Sequence, residues 1–173
     1  AILWTRQIGG DSNVGCSDVA ADQFGNAYIT GSAGSALSGQ YNAGGFDAYV
    51  IKYGAAGNQL WTREFGTIRD DFGTSVAPDS FGNVYVTGYT SSNDFPVTGD
   101  APQASPHSMF IARMNFTKAG LDALDYCTYL GGSALDSPQA MLLEGNNLWI
   151  SGYTFSPDFP VTPNAPPQLR CCA

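Results

Sequence analysis

Apolar and polar residues alternate along this chain in short runs broken by glycine-bearing turns, and the same run is written three times. In Asn83-Val84-Tyr85-Val86-Thr87-Gly88 the two valines share one face while Tyr85 and Thr87 share the other, the period-2 signature of a strand. The run occurs first as Asn26-Ala27-Tyr28-Ile29-Thr30-Gly31 and last, degraded, as Asn146-Asn147-Leu148-Trp149-Ile150-Ser151-Gly152. Two other segments, Tyr49-Val50-Ile51-Lys52-Tyr53 and Phe110-Ile111-Ala112-Arg113-Met114, are largely apolar on both faces. Strands of that kind belong inside a sheet packed between two others.

Spacing turns these runs into repeat units. Trp4 to Trp61 is 57 positions and so is Gly25 to Gly82, whereas the offset from the second unit to the third grows to 64 or 65. Such drift marks loop insertions on a constant strand scaffold, and the period has room for four short strands with their turns. The units run over about 4–60, 61–125 and 126–173 and form a single domain, 1–173. First strands are expected at Ser17 to Ala21, Thr74 to Ala77 and Gln139 to Leu143. Second strands follow at Ala27 to Thr30, Val84 to Thr87 and Leu148 to Ser151, third strands at Ala48 to Tyr53 and Met109 to Met114. Fourth strands are expected at Leu3 to Ile8, Leu60 to Phe65 and Asp125 to Leu130. First and second strands meet at Asp22-Gln23-Phe24-Gly25-Asn26 and Asp79-Ser80-Phe81-Gly82-Asn83, where Gly supplies the positive φ of a tight turn and Asp caps its backbone. A four-stranded antiparallel sheet with two apolar faces needs a sheet on each side, so the expected fold is all-β, a β-propeller-like array of four-stranded antiparallel blades.

Several motifs carry a family resemblance. The Asp-x-x-Gly-Asn-x-Tyr-Val-Thr-Gly run is followed by Asp94-Phe95-Pro96-Val97-Thr98 or Asp158-Phe159-Pro160-Val161-Thr162-Pro163. Phe46-Asp47-Ala48-Tyr49-Val50-Ile51-Lys52 and Tyr129-Leu130-Gly131-Gly132 complete the set. Together they resemble the bacterial SBBP-type β-propeller repeat over nearly the whole chain. The resemblance implies large secreted or cell-surface proteins and no particular chemistry. The first unit departs from the pattern, with the Gly/Ser-rich Ser32 to Gly45 in place of Asp-Phe-Pro. In the second, His107-Ser108 stands where Phe-Asp is usual.

The strand count leaves the ring incomplete at about three repeats. The chain opens on a fourth strand and closes after the second strand of a third set, while closed propellers have about four to eight blades. A piece of a longer protein, several chains completing a ring and an open stack are the three outcomes. Strand edges at Leu3 to Ile8 and Leu148 to Ser151 are then available for pairing with another copy or a partner. The Pro-rich Pro157 to Pro167 segment reads as an extended arm.

Composition narrows the partners. A net charge of −8 argues against nucleic acid and anionic membrane as partners, since both select basic surfaces. Thirteen of the 15 acidic residues are Asp, which places the acidity in turns and makes solubility its simplest account. No run approaches the ~20 apolar residues of a membrane span. The start at Ala1-Ile2-Leu3-Trp4, without Met, points to a processed product or a fragment and holds no basic-then-apolar leader. Cys16, Cys127, Cys171 and Cys172 lack metal-ligand spacing. They are disulfide candidates, Cys171 or Cys172 pairing with Cys16, Cys127 or another chain rather than with each other. With few Lys and abundant Asn, Ser, Thr and Gly, they point to an extracellular or cell-surface location, although buried free thiols account for Cys16 and Cys127 almost as well.

Candidate chemistry is sparse. His107 lies in Ser105-Pro106-His107-Ser108 without a nucleophile elbow or orienting acid and reads as a loop histidine. Asp70-Asp71, Asp136, Asp94 and Asp158 recur at equivalent loop positions and raise Ca²⁺ as a cofactor, but a calcium loop gathers its ligands within about a dozen residues, so turn capping is preferred. The aromatic–proline bonds Phe95-Pro96 and Phe159-Pro160 are a context that raises the chance of a cis peptide and a fixed bend. Trp4, Trp61 and Trp149 read as core. Tyr89 and Tyr153, at loop entrances, are the candidate stacking surfaces for a sugar. The expected function is therefore a non-catalytic extracellular structural or interaction module, assembling with other copies or a larger partner. A carbohydrate-binding propeller is the first alternative, and part of a secreted hydrolase or lyase whose site needs a complete ring is the second.

Overall fold

The computed structural model describes residues 2–9, 13–103, 108–116, 118 and 120–163. Among these residues ten strands form three antiparallel sheets, each a meander of sequential neighbours. The first sheet holds β1 (Val14–Ala21), β2 (Ala27–Ala33), β3 (Asp47–Tyr53) and β4 (Gln59–Phe65). The second holds β5 (Asp71–Pro78), β6 (Val84–Thr90), β7 (Met109–Met114) and β8 (Leu124–Leu130). The third is a hairpin of β9 (Asp136–Glu144) and β10 (Asn147–Thr154). A single 3-10 turn, Gly120–Ala123, leads into β8, and the described residues contain no α-helix. The array is thus two full blades and half of a third, not closed into a ring.

The repeated Asp-x-x-Gly-Asn turns explain why first and second strands pair. Asp22 Oδ1 accepts the amides of Phe24 and Asn26, and Asp79 Oδ1 accepts those of Phe81 and Asn83. Gly25 and Gly82 supply φ values of 78° and 89°. The glycine ending each Tyr-Val-Thr-Gly run has a different reason. Each first strand skips one residue of register against its partner, between Cys16 and Asp18, between Gly73 and Ser75, and between Pro138 and Ala140. These bulges push the carbonyls of Gly15, Phe72 and Ser137 to where a Cβ on Gly31, Gly88 or Gly152 would stand.

Packing follows the alternation. Ala48 and Val50 of the first sheet, with Tyr28, meet Val84, Val86, Phe110, Ala112 and Met114 of the second in one buried core. The opposite face of the first sheet, with Ala33, Tyr49, Ile51 and Tyr53, is covered by Leu37 of the Gly/Ser-rich loop and by Trp4 and Ile8. That segment corrects one expectation, because Leu3 to Ile8 is not a strand. The fourth-strand place in the first sheet belongs to β4, so this stretch has no ladder to join and instead lies across the sheet face. Trp4 stands 5.8 Å from the Tyr53 ring and donates its Nε1–H to the Ala55 carbonyl at 3.1 Å.

Two further expectations change. Phe95-Pro96 and Phe159-Pro160 are both trans. Their bends come from tight turns, the second closed by the Phe159 amide on the Ser156 carbonyl. Cys16 and Cys127 are both free. Cys127 lies in the core on β8 opposite Ala112 of β7, where burial pushes its thiol up to about 12, and Cys16 sits exposed on β1. Cys171 and Cys172, His107, and residues 164–167 of the Pro-rich segment lie outside the described residues.

Candidate functional site

The recurring carboxylates are occupied in building the fold. Asp71 accepts the Thr67 amide at 2.7 Å and the hydroxyls of Thr90 and Ser92. Its counterpart Asp136 accepts the Gly132 amide at 2.8 Å and the Ser156 hydroxyl at 2.9 Å. Asp94 and Asp158, in the Asp-Phe-Pro loops, accept the hydroxyls of Thr67 and Ser133. These bonds tie the loop after one blade to the first strand of the next. Among the described residues, no three His, Cys, Asp or Glu side chains come together as a metal-ligating group. Asp47, like Asp136, is buried with its Oδ1 unpartnered, and at Asp47 burial, opposed by the Ala43 amide and reinforced by Glu64 and Asp71, raises the carboxyl to about 6.

A chain of polar contacts crosses all three sheets along their first strands. Asp18 of β1 accepts the Ser75 hydroxyl at 2.6 Å and the Val76 amide at 3.0 Å, both from β5. The Ser75 oxygen in turn accepts the Met141 amide of β9 at 3.1 Å. Nothing in the sequence around Asp18 marks it, because its role depends on the relative placement of separate sheets.

The two tyrosines singled out from the sequence lie on one rim. Tyr89 stacks on Phe72 at 4.6 Å, and Phe72 stacks on Phe46 at 5.4 Å, so one ring face of Tyr89 is already covered. Tyr153, at the corresponding position in the third sheet, is exposed and meets Phe155 edge-on at 5.6 Å. The row Phe46, Phe72 and Tyr89 reaches from the first sheet to the second, with Tyr153 and Phe155 continuing in the third.

The largest break in the pattern is the third sheet. Its inner face, with Leu148 and Ile150, is partly covered by the second sheet, as the Val84 and Val86 equivalents are by the first. Among the described residues nothing covers its outer face. Trp149 occupies the position of Tyr28 and Tyr85 and is 58 % exposed, where Tyr28 is 0 % exposed. Leu142, its cross-strand partner, is exposed beside it. The reading of all three tryptophans as core is corrected here. Trp61 packs on Tyr28 and Phe116 and Trp4 on Tyr53, but Trp149 faces the side on which no further sheet is present among the described residues. β10 has β9 on one side and no ladder partner on the other among the described residues, whereas β2 and β6 are paired on both sides.

The family model of the SBBP beta-propeller repeat matches residues 3–37 and 60–96. No curated protein matches the chain at a significant level.

Proposed function

We infer that this chain, which carries SBBP β-propeller repeats, is a binding and assembly module that works through the uncovered end of its blade array. The observation that carries this is the outer face of the third sheet, where among the described residues Trp149 and Leu142 stand exposed, while Tyr28, at the Trp149 position of the first sheet, is buried. A contiguous apolar patch on a strand pair with an open edge is the kind of surface that protein association covers. The recurring carboxylates support a non-catalytic role, since their oxygens accept hydrogen bonds that hold loops to strands. Composition and the family resemblance support a secreted or surface-displayed location.

The test is native mass in solution. Sedimentation over the micromolar range is expected to show self-association, abolished in Trp149→Glu. A chain that stays monomeric throughout, or a hydrolase or lyase activity lost on a single carboxylate change, overturns the reading. The aromatic row ending at Tyr153 and Phe155 supports a second reading, glycan binding. Binding on a glycan array that is lost in Tyr153→Ala promotes it, and silence across a broad array removes it.

A further inference from the structure

The loop leading from second strand to third is fastened differently in the two four-stranded sheets. In the second sheet Tyr129 of β8 donates its hydroxyl to the carbonyls of Ser92 and Phe95, both at 3.3 Å. Glu64 of β4 holds the equivalent position in the first sheet, opposite Tyr49 as Tyr129 is opposite Phe110. It fastens the loop 34–46 with the reverse polarity, accepting the Leu37 amide at 2.8 Å and Asn42 Nδ2 at 3.1 Å. A neutral phenol ties one loop and a buried acid ties the other.

A second acid completes the fastening in the first sheet alone. Asp47 Oδ2 accepts the Ala43 amide at 2.6 Å, at a position that Ser108 fills in the second sheet. Asp47 is fully buried, and its Oδ1 has no hydrogen-bond partner. The charged groups around it are acids. Glu64 faces it from β4 and Asp71 from β5, with Asp94 beyond Asp71, and Asp70 Oδ1 accepts the adjoining Phe46 amide. A Cβ on Gly66 would stand 2.5 Å from Asp47 Oδ1 and 2.8 Å from Asp71 Oδ2, so carboxyls of two sheets converge on one glycine. Among the described residues no Lys, Arg or His lies within ion-pair distance of Asp47. A negative charge there is opposed both by burial and by its neighbours.

We propose that the loop 34–46 is a pH-dependent strap, fastened while Asp47 carries a proton and loosened when Asp47 ionises among Glu64, Asp71 and Asp70. Burial, the largest cause, holds the Asp47 carboxyl at about 6, whereas a carboxyl released into water returns to about 3.9. The fastened strap therefore keeps its proton over a range where the open strap has lost it, and rising pH favours opening. Between pH 5 and 7.5 this linkage raises the open population about tenfold. The second sheet's loop lacks the dependence, because burial pushes the Tyr129 hydroxyl up to about 12 and it stays protonated throughout. This goes beyond the module reading and does not depend on Trp149.

Amide exchange followed by NMR on the full chain, referenced to intrinsic rates at each pH, is the test. Protection of the Leu37, Ala43 and Gly45 amides is expected to fall about tenfold from pH 5 to 7.5, while that of Thr98 and Ala101 in the second loop holds. Asp47→Asn should keep the strap protected and abolish the change. Tyr129→Phe should loosen the second loop by the same factor at both pH values. Four results overturn the proposal: strap protection that is constant with pH, a change shared equally by Thr98 and Ala101, a dependence that survives in Asp47→Asn, or a pH-dependent loosening in Tyr129→Phe.

Discussion

Among single residues, Asp47 carries a pH-dependent contribution to stability. A carboxyl raised to about 6 in the fold, against about 3.9 unfolded, keeps its proton in the native state over a range where the unfolded chain has released it. Its contribution therefore favours folding below about pH 4 and is lost as the pH rises through 6. Asp47→Asn, whose carbonyl still accepts the Ala43 amide, is expected to raise the melting temperature at pH 7.5 and to flatten its dependence between pH 4 and 7, read by calorimetry. Asp18 is the opposite case, a carboxylate whose removal leaves the Val76 amide and Ser75 hydroxyl without their acceptor. Asp18→Ala is expected to lower stability by about 1–3 kcal/mol in urea unfolding. Asp22 and Asp79 were legible as turn caps from the Asp-x-x-Gly-Asn spacing alone. Asp18 was not, since nothing within its own strand distinguishes it from a solvent-facing aspartate.

Strands were read closely where local pattern decides them, and β7 spans Met109–Met114 as expected. Second strands were expected to stop at Thr30 and Thr87, before the glycine, but they continue to Ala33 and Thr90. The glycine just past those bounds sits mid-strand because the partner bulges against it. Gly88→Ala is accordingly expected to destabilise by more than about 2 kcal/mol, since the Phe72 carbonyl stands in the way of the new methyl. The loop of the first unit gave no strand or turn signal beyond its composition, and a buried acid holds it. Glu64 accepts the Leu37 amide at 2.8 Å and Asn42 Nδ2 at 3.1 Å. Glu64→Gln turns one of those two acceptors into a donor facing a donor. Faster proteolysis between residues 34 and 45 is the expected result, with the second sheet unaffected.

For the whole molecule, the architecture was legible because three copies of one pattern constrain one another, and the expected count of about three repeats falls to two and a half sheets among the described residues because Leu3 to Ile8 is not a strand. The fate of the outermost faces was not. Leu3 to Ile8 carries a strand's apolar content and Trp149 a core residue's identity, but a strand needs a ladder and a core residue needs a covering layer. Both depend on neighbours that local pattern does not reveal. Cys127 is expected to resist alkylation in the folded chain and to react only on denaturation, a check on the sealing of the core between the sheets.

The segment bearing Trp4 and Ile8 caps the face of the first sheet that carries Tyr49, Ile51 and Tyr53, so a partner sheet approaching that face must first displace it. The two outermost faces are therefore unequal: one is guarded by these side chains, and the other leaves Trp149 uncovered among the described residues.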